Sequence, residues 1–330
     1  MKTVVIISNK HEKFMLEFYY KIVIFPSACE YLNSGNLCDL VLLCDTDLDL
    51  IAALNIAPVI VLDEKYNFDN EIKALQLGAA DYIHKPVNLA SLKSRIDTHI
   101  SNFEHKNGLE KIIFEKTKTI EKLSDVTIES IISIIGTRDT DTNNHSGRTS
   151  EYVLAIANEL KNSGLYQSEL SEENIFMLKK SAPLHDIGKV GIDDTILKKL
   201  GKYTPEEFEI MKNHTIIGSE ALKRAKLFMN EPSFLDCAEI LARHHHEKWD
   251  GSGYPDKLKA NEIPLFARIM AIADVYDALT SKRSYKEMIP HNKSVEIITQ
   301  GSGTQFDPDI CNAFLRINQK FFEISKKLLT

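Results

Sequence analysis

The sequence predicts two fold classes in series along its 330 residues, a doubly wound α/β domain with five parallel strands and then an all-α domain. Two observations predict this order. Short apolar runs alternate with helical segments through the first hundred residues, whereas the rest of the chain has long amphipathic periods and few β-branched runs. The length agrees, because a domain takes roughly 100–200 residues. We expect a long helix to join the two domains.

The α/β domain is predicted at residues 1–104, from five short apolar runs. Continuous apolar runs of this length are typical of strands that are buried on both faces of a parallel sheet, between covering helices. The runs are residues 4–7, 22–25, 40–43, 59–62 and 82–83.

The stretch ALQLGAADYIHKPVNLASLKSRI, residues 74–96, closely resembles the last third of a response-regulator receiver domain. In that family a Lys-Pro pair follows the fifth strand, as Lys85-Pro86 does here. The resemblance implies that the first domain is a receiver-like domain that regulates the protein, makes a dimer or binds a partner.

The residues that carry out phosphorylation in receivers are replaced in this chain. The acidic pair after the first strand is Ser8-Asn9, the phosphorylated aspartate at the end of the third strand is Cys44, and the Ser or Thr after the fourth strand is Asp63. These departures predict a degenerate receiver that is not phosphorylated. The alternative is a phosphorylatable switch in which Asp45 or Asp47 substitutes.

Residues 105–135 predict an amphipathic connecting helix, because isoleucine and leucine recur there at helical spacing among Glu and Lys. Two interpretations of the apolar side remain open. It forms a two-chain coiled coil, and hence a homodimer, or it packs on its own domain. The heptad register is too irregular to choose between them.

Charge and cysteine content restrict the partners and the compartment. The net charge is −7, from 40 basic and 47 acidic residues, whereas binders of nucleic-acid polymers usually carry a basic excess. A small anionic ligand is not excluded. Five scattered cysteines, without a C-x-x-C pair, indicate thiols in a reducing compartment. No signal peptide or membrane span is evident, so we expect a cytoplasmic protein without membrane insertion.

Six of the 11 histidines lie between residues 145 and 246, on segments with helical patterns. His185-Asp186 comes just before a glycine and Lys189, so a turn there would leave an imidazole, a carboxylate and an ammonium at one edge. In the run His244-His245-His246, adjacent helical side chains point about 100° apart, so we expect two of the three to share a site.

Carboxylates and cations complete a candidate site. Asp274 lies in an apolar helical segment, where a carboxylate needs a cation or metal, and Asp277 follows one turn later. Imidazoles and carboxylates without thiolate suit iron or manganese better than a structural zinc. Two metals that share a carboxylate activate water and hold both oxygens of an in-line displacement at phosphorus. Cationic contacts to a phosphate substrate would come from Lys189, Arg283 and Lys286.

These motifs together resemble the HD-GYP domain, a branch of the HD superfamily of metal phosphohydrolases, over roughly residues 125–330. Several of them occur in the family's order, which makes the resemblance specific. They are LHDIGKVGI (184–192), MKNHTIIG (211–218), HHEKWDGSGYP (245–255), IPLFARIMAIADVYDAL (263–279), TSKRSYK (280–286) and FDPDI (306–310).

The resemblance implies an all-helical domain at residues 136–330 that hydrolyses the bacterial second messenger cyclic di-GMP to linear pGpG and, in many members, GMP. It implies a two-metal core with Asp186 as the bridging and catalytic carboxylate and Lys189 on the scissile phosphate. Asp277 would orient a ligand or a basic side chain. The implied metal ligands are His185, Asp186, His214, His245, His246 and Asp274, and the implied substrate contacts are Lys189, Gly253, Tyr254, Asp277, Arg283 and Lys286.

A third metal is a further expectation, because members of the family that bind one carry a glutamate four residues before a histidine upstream of the HD motif. This chain has Asp141 and His145 at that spacing, and residues i and i+4 share one face of a helix. In the alternative, Asp141 caps the helix and His145 contacts substrate or water.

Two functions compete with hydrolysis of cyclic di-GMP. The chain could be a catalytically silent sensor that binds cyclic di-GMP and contacts protein partners through the Gly-Tyr-Pro loop. It could also hydrolyse another cyclic dinucleotide or nucleotide, because the residues that select guanine cannot be placed from sequence.

Overall fold

The structure is a computed structural model that describes residues 1–8, 15–44, 48–54, 56–65, 67–138, 145–199, 201–229, 231–281 and 288–327. It divides into two compact units, Met1–Ile120 and Glu121–Thr330. Within the described part of the chain, no helix combines the length and the apolar character that a bilayer span requires.

The first unit is built on a sheet of five parallel strands, so the predicted α/β class is confirmed. The spatial order is β2-β1-β3-β4-β5, the doubly wound order in which the chain starts near the middle of the sheet and reverses once. The strands are β1 Thr3–Ile7, β2 Lys21–Phe25, β3 Leu40–Cys44, β4 Val59–Asp63 and β5 Asp81–His84.

Alternate residues of each strand enter different cores. Val4 of β1 packs with Leu92 of the long helix on one face of the sheet. Its neighbour Val5 packs on the other face, with Tyr31 and Ala74. Because both faces are covered, the strands have no polar side, and this explains why they are continuous apolar runs. The helices of this unit are α1 Ala28–Ser34, α2 Phe68–Gln76 and the first part of α3 Leu89–Arg138.

The carboxyl ends of the strands carry the residues expected of a degenerate receiver. Cys44 ends β3 with a fully buried side chain. Asp63 ends β4, and its carboxylate accepts hydrogen bonds from the Tyr82 hydroxyl and from Asn70, at 3.4 Å. The other expected participants Asn9, Asp45 and Asp47 lie outside the described residues.

The described part of the second unit consists of helices and loops, as the predicted all-α class requires. Its main core lies between α4, α9 and α11, where Tyr152, Tyr276 and Phe321 contact one another through their rings. The 50-residue helix α3 continues into this unit from the first. The remaining helices are α4 His145–Asn162, α5 Glu172–Ser181, α6 Asp194–Leu197, α7 Pro205–Lys226, α8 Phe234–His244, α9 Leu265–Thr280, α10 His291–Gln300 and α11 Pro308–Lys327.

Helix α7 begins where the sequence pattern Thr-Pro-Glu-Glu predicts a start. The Thr204 hydroxyl accepts from the Glu207 backbone N–H, and the Glu207 carboxylate accepts from the Thr204 N–H, which together form a capping box. Pro205 occupies the first turn, where its missing N–H costs nothing. The fixed start sets which residues of α7 face the rest of the domain.

Candidate metal centre

Five segments of the second unit bring imidazoles and carboxylates into one region. His145 is the first residue of α4, and His214 lies in the middle of α7. The His185-Asp186 pair lies between two short 3-10 segments, Ala182–Leu184 and Ile187–Gly191, so the preceding helix has ended there. His245 and His246 follow the end of α8, and Asp274 lies in α9.

Four of these residues form the first set of metal-ligand groups, called the Asp186 group below: Asp186, His214, His245 and His246. One ligand atom from each lies within 4.8 Å of the others. The Nε2 atoms of His214 and His245 are 3.5 Å apart, and Asp186 Oδ1 lies 3.4 Å from His214 Nε2 and 3.6 Å from His245 Nε2. These distances leave room for one ion between the four atoms.

The second set, called the Asp274 group below, is His145, His185 and Asp274. The Nε2 atoms of the two histidines are 3.3 Å apart. Asp274 Oδ1 lies 3.8 Å from His145 Nε2 and 3.9 Å from His185 Nε2. His145 therefore joins a group whose other members are 40 and 129 residues away along the chain.

Asp186 lies between the two groups. Its Oδ1 faces His214 and His245, and its Oδ2 is 3.3 Å from His185 Nε2. Oδ1 is buried and accepts no hydrogen bond. A buried carboxylate oxygen without a donor is costly unless a cation compensates it. The two oxygens of this one carboxylate are thus placed to contact two ions.

Four of the five histidines in the two groups turn Nε2 towards the centre because Nδ1 is already engaged. A carbonyl or carboxylate oxygen only accepts, so the Nδ1 atom facing it carries the proton and Nε2 presents its lone pair. The contacts are His145 Nδ1 to Asp277 at 2.7 Å, His185 Nδ1 to the Ala182 carbonyl at 2.8 Å, His214 Nδ1 to the Met211 carbonyl at 2.7 Å and His245 Nδ1 to the Leu241 carbonyl at 2.7 Å.

These orientations fit metal ions better than protons. Facing lone pairs repel unless a cation lies between them, and protonation is opposed because burial lowers the pKa of His214 to about 4. Burial also holds the pKa of His246 well below its usual value. Neutral imidazoles with carboxylates are the donors of a divalent metal site, and the Asp186 and Asp274 groups each provide such a set.

Lys189 contacts the same carboxylate that joins the groups. Its Nζ lies 2.9 Å from Asp186 Oδ2. Burial acts to raise the pKa of Asp186, but Lys189 and His185 outweigh it and hold that pKa well below its usual range. The carboxylate is therefore ionised at neutral pH, as metal binding requires.

A buried ion pair supports His145. Arg148 and Asp277 are each 1% exposed, and Arg148 donates from Nε to Asp277 Oδ1 at 2.6 Å and from Nη2 to Oδ2 at 2.9 Å. Arg148 also donates to Ser281 Oγ at 2.9 Å. Asp277 thus contacts His145 and Arg148. Sequence reasoning missed Arg148, although an arginine one helical turn after a candidate ligand was the available signal.

The Gly-Tyr-Pro loop lies against the histidine run that precedes it. A Cβ on Gly253 would be 2.4 Å from the Lys248 nitrogen and 2.5 Å from the Glu247 α-carbon, so only glycine fits. The Tyr254 N–H donates to the His246 carbonyl at 3.3 Å, and the two rings are 4.8 Å apart, centroid to centroid. Tyr254 is thereby held beside the Asp186 group.

Three further potential ligands, His244, Glu247 and Asp256, lie close together at the base of this loop. Asp256 is already engaged, because Arg243 donates to its two oxygens at 2.7 Å each. Glu247 is 3% exposed and accepts from the Asp256 N–H at 2.7 Å. These contacts fasten the loop to the end of α8.

Three residues expected at the site, Asp141, Arg283 and Lys286, lie outside the described residues. His244, the remaining member of the triplet, lies with its Nδ1 3.5 Å from Asp256 Oδ2, apart from the two groups. Gly253 and Tyr254 adjoin the Asp186 group, and Asp277 lies behind His145.

A family model and several relatives match this chain, and they agree with one another. A family model described as HD domain matches residues 129–310. A Vibrio cholerae protein named "Probable cyclic di-GMP phosphodiesterase" is 44% identical, over 82% of this chain and 63% of its own length. Another from that organism, named cyclic di-GMP phosphodiesterase, is 48% identical over 62% of this chain and 42% of its own length. A Thermotoga maritima protein of the same name is 37% identical over 84% of this chain and 76% of its own length.

The alignments thus cover less than two thirds of the two Vibrio cholerae proteins. The HD domain match, by contrast, extends over more than half of this chain and includes every residue of the Asp186 and Asp274 groups. The chain belongs to the HD domain family.

Proposed function

We propose that this chain is a metal-dependent phosphodiesterase that hydrolyses cyclic di-GMP to linear pGpG, with GMP as the product of a second cleavage. The observation that carries the proposal is the position of Asp186, whose two oxygens face two separate sets of histidines. The names of the relatives support the substrate, and the remaining contacts support the chemistry.

The Asp186 and Asp274 groups would each hold one divalent ion, with Asp186 contacting both. When bound, the ions supply Lewis-acid activation of water and of the phosphoryl oxygens. Iron is the ion we propose, with manganese as the substitute, because the donors are imidazole and carboxylate. A third ion would need Asp141.

The protein's own groups would position the phosphodiester and balance its charge. Lys189 lies beside Asp186 Oδ2, so a phosphate oxygen bound next to that carboxylate would meet the ammonium as well. We assign Lys189 to the scissile phosphate. Tyr254 would contact the ligand from beside His246, and Arg283 and Lys286 would add cationic contacts. Asp277 would act through His145, by fixing the orientation of its ring within the Asp274 group.

The proposal is tested with the full chain purified without air and loaded with Fe²⁺ or Mn²⁺. Cyclic di-GMP is added, and the products are separated by liquid chromatography. We expect pGpG from the wild type, none from Asp186→Asn, and wild-type rates from His244→Asn, which changes a neighbouring histidine outside both groups. Unchanged binding of cyclic di-GMP without any product would contradict catalysis and favour the silent sensor. Faster turnover of cyclic GMP-AMP would reassign the substrate.

We also propose that two chains associate through α3. Five apolar side chains lie in one register of alternating four- and three-residue steps, which is that of the a and d positions of a parallel coiled coil. Polar residues at 116, 127 and 130 occupy the other positions of that register. The five are at least 60% exposed: Leu109, Ile113, Ile120, Leu123 and Ile134.

The open alternative, packing of the helix on its own domain, applies to a different side of α3. Ile128 and Ile132 pack against Leu184 and Ala238 in the second unit. Among the described residues, that core includes Ile128 and Ile132 of α3 but none of Leu109, Ile113, Ile120 and Leu123. A second copy of the chain is the partner that matches the stripe of five apolar side chains, because parallel pairing places each apolar residue opposite its own copy.

A further inference from the structure

We propose that Phe208 and Lys212 of α7 form, with Tyr254, a platform that binds a guanine base of the substrate. The inference rests on the proposed phosphodiesterase function and extends it to two residues that carry no role in the metal centre. It concerns how the enzyme selects its substrate.

The platform is continuous with the Asp186 group. The Tyr254 ring lies 4.8 Å from the His246 ring on one side and 6.1 Å from the Phe208 ring on the other, centroid to centroid. Phe208 stands at 83° to Tyr254, so the two rings form a corner. The Tyr254 ring thus lies between Phe208 and the metal ligands, as the sugar of a nucleotide lies between its base and its phosphate.

An ammonium completes the corner. Lys212 Nζ lies 5.0 Å from the centre of the Phe208 ring and 5.5 Å from that of Tyr254. It follows Phe208 by one helical turn on α7, and His214, two residues later, is a member of the Asp186 group. Rings and cation are therefore carried by the same helix and loop that carry the metal ligands.

Exposure distinguishes this cluster from ordinary packing. Phe208 is 43% exposed, so its ring is not buried in the core of the domain. The ion pair of Lys212 is with Glu209, at 2.6 Å, and the Glu209 side chain is 70% exposed. An exposed pair of this kind is weak and exchanges readily for another acceptor. A ligand can therefore use both the ring and the ammonium.

The chemistry of the cluster suits guanine. Purine bases stack on aromatic side chains, which provides affinity whatever the base. Selectivity comes from the edge of the base, where guanine presents two acceptors, N7 and O6, and adenine presents a donor beside its N7. Lys212 only donates, so it pairs with guanine at both positions and opposes adenine at one. Phe208 thus provides affinity for the base by stacking, and Lys212 selects guanine over adenine.

The affinity part is tested with Phe208→Ala and Phe208→Trp in the metal-loaded full chain. The control is Ile210→Ala, a residue of the same helix that is 45% exposed. We expect Phe208→Ala to raise KM for cyclic di-GMP about tenfold with little change in kcat, and Phe208→Trp to restore it. Hydrolysis of methyl p-nitrophenyl phosphate, which has no purine, should be unaffected. Equal losses with both substrates, or an unchanged KM, would overturn the platform.

The selectivity part is tested with Lys212→Met. We expect the ratio of kcat/KM for cyclic di-GMP to that for cyclic di-AMP to fall about tenfold or more, and an unchanged ratio would overturn the assignment to Lys212. Calorimetric titration with GMP separates this inference from the proposed function. If the wild type hydrolyses no cyclic dinucleotide, weaker GMP binding by Phe208→Ala but not by Ile210→Ala still supports the platform, and equal binding refutes it.

Discussion

The α-carbon of Gly188 lies against the backbone carbonyl of His214. A Cβ at Gly188 would be 1.9 Å from that oxygen and 2.5 Å from the nitrogen of Gly218. The turn that carries Asp186 is therefore in direct backbone contact with α7, and this contact sets the distance between Asp186 and His214. Two members of the Asp186 group owe their separation to the absence of a side chain on Gly188.

Gly188→Ala tests this relationship. The added methyl meets backbone atoms, which cannot move aside as a side chain would, so the turn must shift away from α7. We expect a loss of about 1–3 kcal/mol in the free energy of unfolding and a lower metal content. Thermal unfolding and elemental analysis measure the two effects. In the control Gly108→Ala, the Cβ meets nothing within 4 Å, so neither quantity should fall. Full metal content in Gly188→Ala would contradict the argument.

Asp277→Asn separates stability from metal binding. Only one end of the asparagine amide accepts hydrogen bonds, so its two ends cannot receive the bonds that the two Asp277 oxygens receive from His145 and Arg148. The uncharged amide also leaves the buried guanidinium without its counter-charge. We expect a loss of about 3–5 kcal/mol in stability and a 10–100-fold loss of metal affinity. The double variant Arg148→Met, Asp277→Leu should recover stability but not metal affinity, because His145 still lacks its acceptor. Recovery of both would show that Asp277 acts only through packing.

Much of the fold could be predicted because its signals are local. The strands of the first unit are covered on both faces, so Val4 and Val5 are both apolar and the run is visible in the sequence itself. The start of α7 at Thr204 is likewise determined by four adjacent residues, 204–207. Patterns of this kind depend on neighbours along the chain.

The site was less predictable because it depends on distant neighbours. Spacing along a helix paired His145 with Asp141, four residues away. The structure brings the His145 ring to His185 and Asp274, because α4 packs on α9 and on the 3-10 segment that precedes His185. Arg148 was missed for the same reason, since its partner Asp277 is 129 residues away.

Metal content should report the two groups separately. His214→Asn removes a donor from the Asp186 group and Asp274→Asn removes one from the Asp274 group, so each should lose one ion of two. Asp186→Asn should weaken both. At a free ion concentration of 100 times Kd, each bound ion stabilises the wild type by about 2.7 kcal/mol. Chelation should therefore lower its melting temperature. If either single variant keeps both ions, that residue is not a ligand.

Charge placed on the exposed stripe of α3 should dissociate the dimer. Ile120 and Leu123 are 67% and 65% exposed in the single chain, and in a parallel pair each would face its own copy. Lysine at both positions sets like charges opposite one another in an apolar seam, and such contacts are strongly unfavourable. We expect Ile120→Lys, Leu123→Lys to have the mass of one chain by light scattering, where the wild type has the mass of two.

A matched control uses the residue of the same helix that directly follows Ile120. Glu121→Lys changes the charge beside the stripe without entering it, so that variant should remain a dimer. The double variant should also keep its metal content, because the stripe includes no residue of the Asp186 or Asp274 groups. A wild type that is monomeric at micromolar concentration, or a double variant that stays dimeric, would refute the coiled coil. A dimeric double variant would assign association to another surface.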